Sequence, residues 1–483
     1  MNKTSKLMVH DPVPMKNNTY VLGIIIGSYL LILVDTSIIM TGLPHIQVEI
    51  GLSPTTLSWA QSIYTLFFGG FLLIGARACD ALGARKALEA GLWIFMTASI
   101  AIAGAQSPSW LLSARAFQGL GAAFVAPAAL ALLALHFKEG DERNRAVAWY
   151  GSTAGIGASV GMVLGGWLSD ALSWRAGFLL NLPLSSLLIF ASRRYLHENP
   201  PQKTRFDLPG AILSTSGFGS LIYGVSRTAE HGWLSTDVLT FLILSVALLA
   251  LLVWHENRTV SPLIPLMLFS SRRRVGAYLA RFLFLGPMVA FFFFGSEFMQ
   301  ESLHFSALKA GLAFLPMTVF ACLSPALVPG LIRRFGDSPV MIGGLLLIFV
   351  GLQWLSHMPY PAEFWRSIAL PMILIGAGQG FCLAPMTAAG ISEIDVRHVG
   401  AASGVLNMAH QVGASFGLGL IASIATAADA NDVSDTALNT LTSSTAAFSF
   451  GSWMVLLGAV IGGFLMRSRR TLNTAFRPDG PSL

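Results

Sequence analysis

The sequence predicts an all-α membrane protein with about fourteen membrane-spanning helices. Three observations predict it. The chain has 483 residues, 54% hydrophobic and only 11% charged. Soluble globular proteins carry about 25% charged residues, so too few charges exist here to cover a soluble body of this size. Nearly every stretch between charged loops is apolar over the roughly 20 residues that a bilayer span needs. The basic residues recur in short loops between those stretches. Backbone groups in lipid must be satisfied within the segment, so such runs can only be helices.

The first nineteen residues are polar, with Pro12, Pro14 and several Lys. No cleavable signal peptide is read there, so the first span is expected to direct insertion. The spans are placed at 20–43, 56–78, 87–104, 109–137, 146–170, 176–195, 208–228, 236–254, 278–299, 307–331, 338–356, 367–389, 399–427 and 445–466. The largest loops on the N-terminal side follow the sixth and eighth spans. The second of these carries Pro262, Pro265 and Arg272-Arg273-Arg274. The longest loop on the other side, near 428–444, is rich in Asp, Asn, Ser and Thr and is expected to be flexible.

Orientation follows from the basic residues. With a cytoplasmic N-terminus, all but five of the 30 Lys and Arg fall on the cytoplasmic side, Arg281 included. Arg175, Arg227, Lys309 and Arg366 fall opposite, and Arg115 lies inside a span. This bias predicts a cell inner-membrane protein with both termini cytoplasmic and an even number of spans. It also removes the nucleic-acid reading that a net charge of +6 and a pI of 9.4 invite, because the basic residues form no single face.

Other classes lack their motifs. Cys79, Cys322 and Cys382 are far apart, without CxxC or Cys/His metal spacing. No Walker motif, paired His/Glu metal motif or GxSxG elbow occurs. An enzyme is therefore not expected, and neither is a cofactor or a metal. The two halves echo each other. Gly83-Ala84-Arg85-Lys86 follows the second span, and Arg333-Arg334-Phe335-Gly336-Asp337 follows the tenth. Internal repeats of this kind are typical of transporters.

Several short motifs are more specific together than singly. They are Val34-Asp35-Thr36 with Gly42-Leu43-Pro44 in the first span, and Asp80-Ala81-Leu82-Gly83-Ala84-Arg85-Lys86 with Gly91 after the second. Arg115-Ala116-Phe117-Gln118-Gly119-Leu120-Gly121 with Pro127 lies in the fourth, and Gly157, Gly161, Gly165 and Gly166 lie in the fifth. Trp174-Arg175 and Asn181-Leu182-Pro183 follow. This set resembles the fourteen-helix drug:proton antiporter branch of the major facilitator superfamily. Three positions depart from the family pattern: Ala81 stands for a basic residue, Ala76 for a Gly, and Met162 for the Pro after the second Gly of the fifth-span motif.

The resemblance implies the major facilitator fold, with two six-helix bundles (20–195 and 276–466) and two inserted helices with their loops (196–275). Residues 1–19 and 467–483 are then cytoplasmic tails. It also implies alternating access and proton-coupled export of small amphipathic or cationic toxic compounds. Export or uptake of a native metabolite on the same fold stays open. A membrane-embedded enzyme would need Asp-rich or His-rich interfacial clusters, which are absent. The expected partners are a small-molecule substrate, protons and the lipid bilayer, with no nucleic acid. An outer-envelope adaptor is conceivable, but no sequence feature shows one.

Ionisable groups inside a bilayer cost about 2.5–3.5 kcal/mol on insertion scales, so each is a functional candidate. Asp35 and Arg115 sit at matching depths, roughly 9–12 Å below the far ends of their spans. Asp35 is read as a proton or cation-substrate site tuned by Arg115; a fixed structural ion pair is the alternative. His410 lies near the midplane of the thirteenth span, where the family often carries Arg. It suits a proton relay, or else a neutral His bonded to a neighbouring helix. Asn407 and Gln411 share its face and suit a polar cavity lining, as do Gln61, Tyr64 and Gln118. Glu297, near the end of the ninth span, is a candidate for coupling or for attracting cations; a solvated helix end explains it as well. The resemblance makes Asp80, Gly83, Arg85 and Lys86 a gating loop that latches the bundles, against positive-inside topology alone. Gly157, Gly161, Gly165 and Gly166 have the small-residue spacing that lets helices approach closely.

Overall fold

The computed structural model of the chain describes residues 18–466 except 53, 139, 199–206, 260, 261, 263, 395–398 and 430–435. Residues 1–17 of the predicted tail at 1–19, the predicted tail at 467–483, the tip of the long polar loop, and the side chains of Gln61 and Asp80 lie outside the described residues. Among the described residues every regular element is helical.

The first bundle contains α1 (Asn18–Ile50), α2 (Pro54–Leu82), α3 (Ala84–Ala103), α4 (Pro108–His136), α5 (Asp141–Ala171), and the pair α6 (Trp174–Leu179) and α7 (Asn181–Tyr195). Two inserted helices follow, α8 (Leu208–His231) and α9 (Thr236–Glu256). The second bundle contains α10 (Arg272–Glu301), the pair α11 (Ala307–Ala313) and α12 (Leu315–Phe335), and α13 (Asp337–Ser356). It is completed by α14 (Leu370–Gly390) with its π-helical lead-in Phe364–Ala369, α15 (Val399–Asp429) and α16 (Thr436–Met466). These group into the predicted fourteen segments. By length and hydropathy twelve of them qualify as spans among the described residues, and the tenth, a bent pair of Leu308–Ser324 and Ala326–Phe335, makes a thirteenth. In α2 the described apolar stretch is the shorter Ile63–Cys79.

Three predicted spans are broken where proline removes a backbone donor. Pro183 follows the α6–α7 break, Pro371 follows the π-helical turn, and the tenth span bends by 55° between Ser324 and Ala326, at Pro325. Several helices outrun the predicted spans. The apolar run of α10 is predicted from 278, yet the helix starts at Arg272. Polar residues at a span's end still satisfy helical hydrogen bonds, and hydropathy does not register them. Starts are set by caps: the Ser107 hydroxyl accepts from Trp110 N–H, and the Asp207 carboxylate from Gly210 N–H at 3.0 Å.

The two ends of the described chain, Asn18 and Met466, lie on one face. Asn18 donates to Glu142, Arg333 pairs with Asp141, Arg273 pairs with Asp337, and Met466 packs beside Gly276. We call this the terminal face. At the far face, beyond the span, Glu49 accepts from the Trp174 indole at 2.6 Å and pairs with Arg175. These bonds hold its carboxyl below the usual carboxylate range.

The halves repeat the same pairing. α1 packs on α5 and α4 on both α2 and α3; correspondingly α10 packs on α15 and α14 on both α12 and α13. The echo in sequence becomes an echo in backbone: Gly83 before α3 has φ 97° and Gly336 before α13 has φ 85°, a region that glycine enters without steric cost. Each half has its own apolar core. α8 lies along α2 and α15, at the seam between bundles, and α9 packs on α8. Large side chains such as Phe190, Ile243, Val246 and Phe464 are exposed, which suits a lipid-facing surface.

Close helix approach sets the bundles. A side chain at Gly161 would meet the Val34 carbonyl oxygen of α1 at 2.6 Å, whereas one at Gly23 meets nothing within 4 Å. Gly161→Val is therefore expected to destabilise by about 1–3 kcal/mol, and Gly23→Ala to leave stability within about 1 kcal/mol. Thermal unfolding in detergent measures both.

Candidate functional site

A cavity lies between α1, α2 and α5 of one bundle and α10, α14 and α15 of the other. Its body is aromatic and aliphatic, with Phe68, Met162, Met288 and Phe292. Its polar groups include Tyr29, Thr36, Tyr64, Gln379, Asn407, His410 and Gln411. Among the described residues none that lines it is an Asp, Glu, Lys or Arg. Below its floor the bundles touch on the terminal side. Gly404 meets Ala76, Gly151 meets Ala384, and Ser403 donates to the Pro127 carbonyl at 3.3 Å. Arg333 and Asp141 close the edge at 2.8 Å.

The structure brings Asp35 and Arg115 together at 3.0 Å, with both side chains at 0% exposure. Asp35 also accepts from the amides of Gln118 at 2.8 Å and Asn181 at 2.5 Å. Both amides reach Ser99, and Arg115 donates to the Ala60 carbonyl at 3.1 Å. The network thus ties α1, α2, α3, α4 and α7 around one carboxylate. Asp35 does not line the cavity. Arg115 stacks on the Tyr64 ring at 4.4 Å, and Tyr64 is the cavity wall. One aromatic layer therefore separates the ion pair from the open space. The expectation that Gln118 lines the cavity is corrected: its amide is used by Asp35, Arg115 and Ser99, so it is buried behind the wall. Asn181 and Ser99 were not singled out from sequence as site residues. Asn181 stood in a recognised motif, but a small amide on an apolar helix gives no sign of its partner.

The second buried group also differs from expectation. Arg281 was counted with the cytoplasmic loop residues. Because α10 begins at Arg272, nine residues of helix put Arg281 about 13 Å into the span. It is 2% exposed. Its guanidinium donates to His410 Nδ1 at 3.1–3.2 Å and to the Thr387 hydroxyl at 2.7 Å. His410 therefore accepts at Nδ1 from another helix and lines the cavity with Asn407 and Gln411.

The other candidates lie apart. Glu297 is exposed near the far end of α10 and is not on the cavity wall. Arg85 pairs with Glu198 at 3.1 Å and with Glu89 at 3.8 Å, both within the first half, and Lys86 is exposed. Among the described residues Arg333–Asp141 is an ion pair that does cross between bundles at this face. Gly157 and Gly161 seat α5 on α1, and Gly165 and Gly166 are buried. Met162 lines the cavity and abuts Gly311 of α11.

Comparison with known proteins settles the family. Residues 25–418 match the Major Facilitator Superfamily. The chain belongs to the Major Facilitator Superfamily. It is 33% identical to the puromycin resistance protein of Streptomyces alboniger over 459 residues, covering 93% of this chain and 91% of that protein. It is 35% identical over 402 residues to the cephamycin export protein of Amycolatopsis lactamdurans, covering 82% and 83%. In fold it resembles the human organic anion transporter MFSD10, with a TM-score of 0.65 at 15% identity, covering 93% of this chain and 100% of that one. This superfamily member is thus a membrane transporter with the major facilitator fold.

Removing one partner of a buried ion pair costs about 3–5 kcal/mol, because the other charge stays behind. Arg115→Gln and Asp35→Asn are each expected to lower the unfolding temperature. The double variant is expected to recover part of the loss. A double-mutant cycle by thermal unfolding measures the coupling.

Proposed function

We propose that this chain is a proton-coupled antiporter that exports small amphipathic toxic compounds across the inner membrane by alternating access, with both termini cytoplasmic. The cavity carries this reading: an apolar and aromatic chamber with a few polar groups, placed where two bundles meet and closed toward the terminal face. Such a chamber suits compounds with an apolar body and a polar edge. The printed functions of the relatives, puromycin resistance and cephamycin export, support export as the direction.

Asp35 is proposed as the proton site. As a carboxylate it neutralises Arg115 and accepts three donors. Protonation would remove the counter-charge of Arg115 and at least one of those acceptor positions. The five helices that meet there would then repack, and Tyr64 would pass the change to the cavity wall. Arg115 is proposed to tune the site and His410 to shape the substrate end.

The test is drug-induced proton flux. The full chain is reconstituted in proteoliposomes with an imposed pH gradient and a pH-reporting dye, and amphipathic antibiotics led by puromycin and a cephamycin are added. At least one is expected to dissipate the gradient in the wild type, and Asp35→Asn to reduce that flux by at least about tenfold, the scale of a lost essential proton carrier. Proton flux that is insensitive to every compound, or intact in Asp35→Asn, contradicts the proposal.

A further inference from the structure

Each bundle buries one arginine near the cavity, but only one of them is neutralised. Arg115 has the Asp35 carboxylate at 3.0 Å. Arg281 has no carboxylate partner among the described residues. Its hydrogen-bond partners are His410 Nδ1 and the Thr387 hydroxyl, and it also interacts with the Tyr29 hydroxyl. All three are uncharged groups when His410 accepts at Nδ1. At 2% exposure the guanidinium is largely removed from water, and a buried cation without a counter-ion is costly.

His410 connects that charge to the cavity. Nδ1 accepts from Arg281, so the ring proton sits on Nε2. The side chain is only 8% exposed, yet it lines the cavity. Among the described residues Nε2 has no hydrogen-bond partner. The imidazole therefore offers a polarised N–H to the cavity, with a positive charge directly behind it. Among the described residues no carboxylate lines the cavity to repel an anion or attract a cation, and Asp35, behind the Tyr64 wall, is consumed by its own network.

We propose that this end of the cavity is the subsite for an acidic group of the substrate, bound through His410 Nε2–H with Arg281 supplying the charge. The inference rests on the exporter reading and narrows it: the preferred substrate is an amphipathic acid, with its carboxylate at His410 and its apolar body against Met288 and Phe292. His410 is then a specificity residue, and Arg281 is a positioning residue that acts through it.

Equilibrium binding to the purified full-length protein tests this without a gradient. The probes share one fluorophore: dansylglycine, its methyl ester, and dansylcadaverine, which carries an amine. The wild type is expected to bind the acid at least about tenfold more tightly than the ester or the amine, the scale of one charge-assisted hydrogen bond. Arg281→Gln is expected to remove the difference between acid and ester, and Arg281→Lys to retain part of it. His410→Phe, which keeps the arginine, gives a second reading should Arg281→Gln fail to fold, and is expected to abolish the preference as well. Equal binding of acid and ester, preference for the amine, no binding of any probe, or an acid preference that survives in the folded variants overturns the assignment. Acid preference without gradient-driven flux would instead sink the exporter reading and leave the site standing.

Discussion

A charge inside the bilayer must find polar partners among the helices around it, and this constraint organises the molecule. Water is not at hand to share the cost, and the penalty for leaving a buried partner unpaired is several kcal/mol. The first bundle meets it by closing five helices around Asp35 and Arg115, with Gln118, Asn181 and Ser99 completing the acceptors and donors. The second meets it differently, with Arg281 resting on His410 and Thr387. The fold repeats its helix pairing but not its electrostatics, and the asymmetry falls on the two sides of one cavity.

Packing within each bundle is tight because glycine lets backbones touch. α1 sits on α5 at Gly161, and α10 sits on α15 where Gly286 faces Gly417. Between bundles α5 packs on α12 and α14, and α15 on α2 and α4, with small residues at the contact, Gly404 on Ala76 and Gly151 on Ala384, and the exposed ion pair Arg333–Asp141 at the edge. Exposed ion pairs contribute little, about 0–1 kcal/mol. Bundles that meet through small side chains are suited to sliding past one another, as the proposed alternating access requires.

Much of this was legible in the sequence, for identifiable reasons. Long apolar runs locate helices, so the fourteen segments were readable. Their ends were not, since Arg272 and Thr436 begin helices with polar residues. The breaks at Pro183, Pro325 and Pro371 had visible causes but no visible consequence until neighbours were placed. Equal depth brought Asp35 and Arg115 under one reading. Depth says nothing of azimuth, however, so Gln118 was assigned to the cavity although it turns to the ion pair. Arg281 was hidden by its neighbours: three arginines at the start of α10 made a fourth look like part of the same loop. The partners of Arg85 were equally out of reach, because Glu198 meets it only through the packing of α7 beside α3.

The central claim is that Asp35 gains and loses a proton during the working cycle while Arg115 stays charged. Infrared difference spectroscopy of the reconstituted protein, comparing acidic with alkaline medium in the wild type and in Asp35→Asn, reads this directly. The account predicts a protonated-carboxyl stretch that appears on acidification and is missing in Asp35→Asn. A wild-type spectrum in which no band depends on Asp35 would show a permanently ionised, purely structural pair and contradict it.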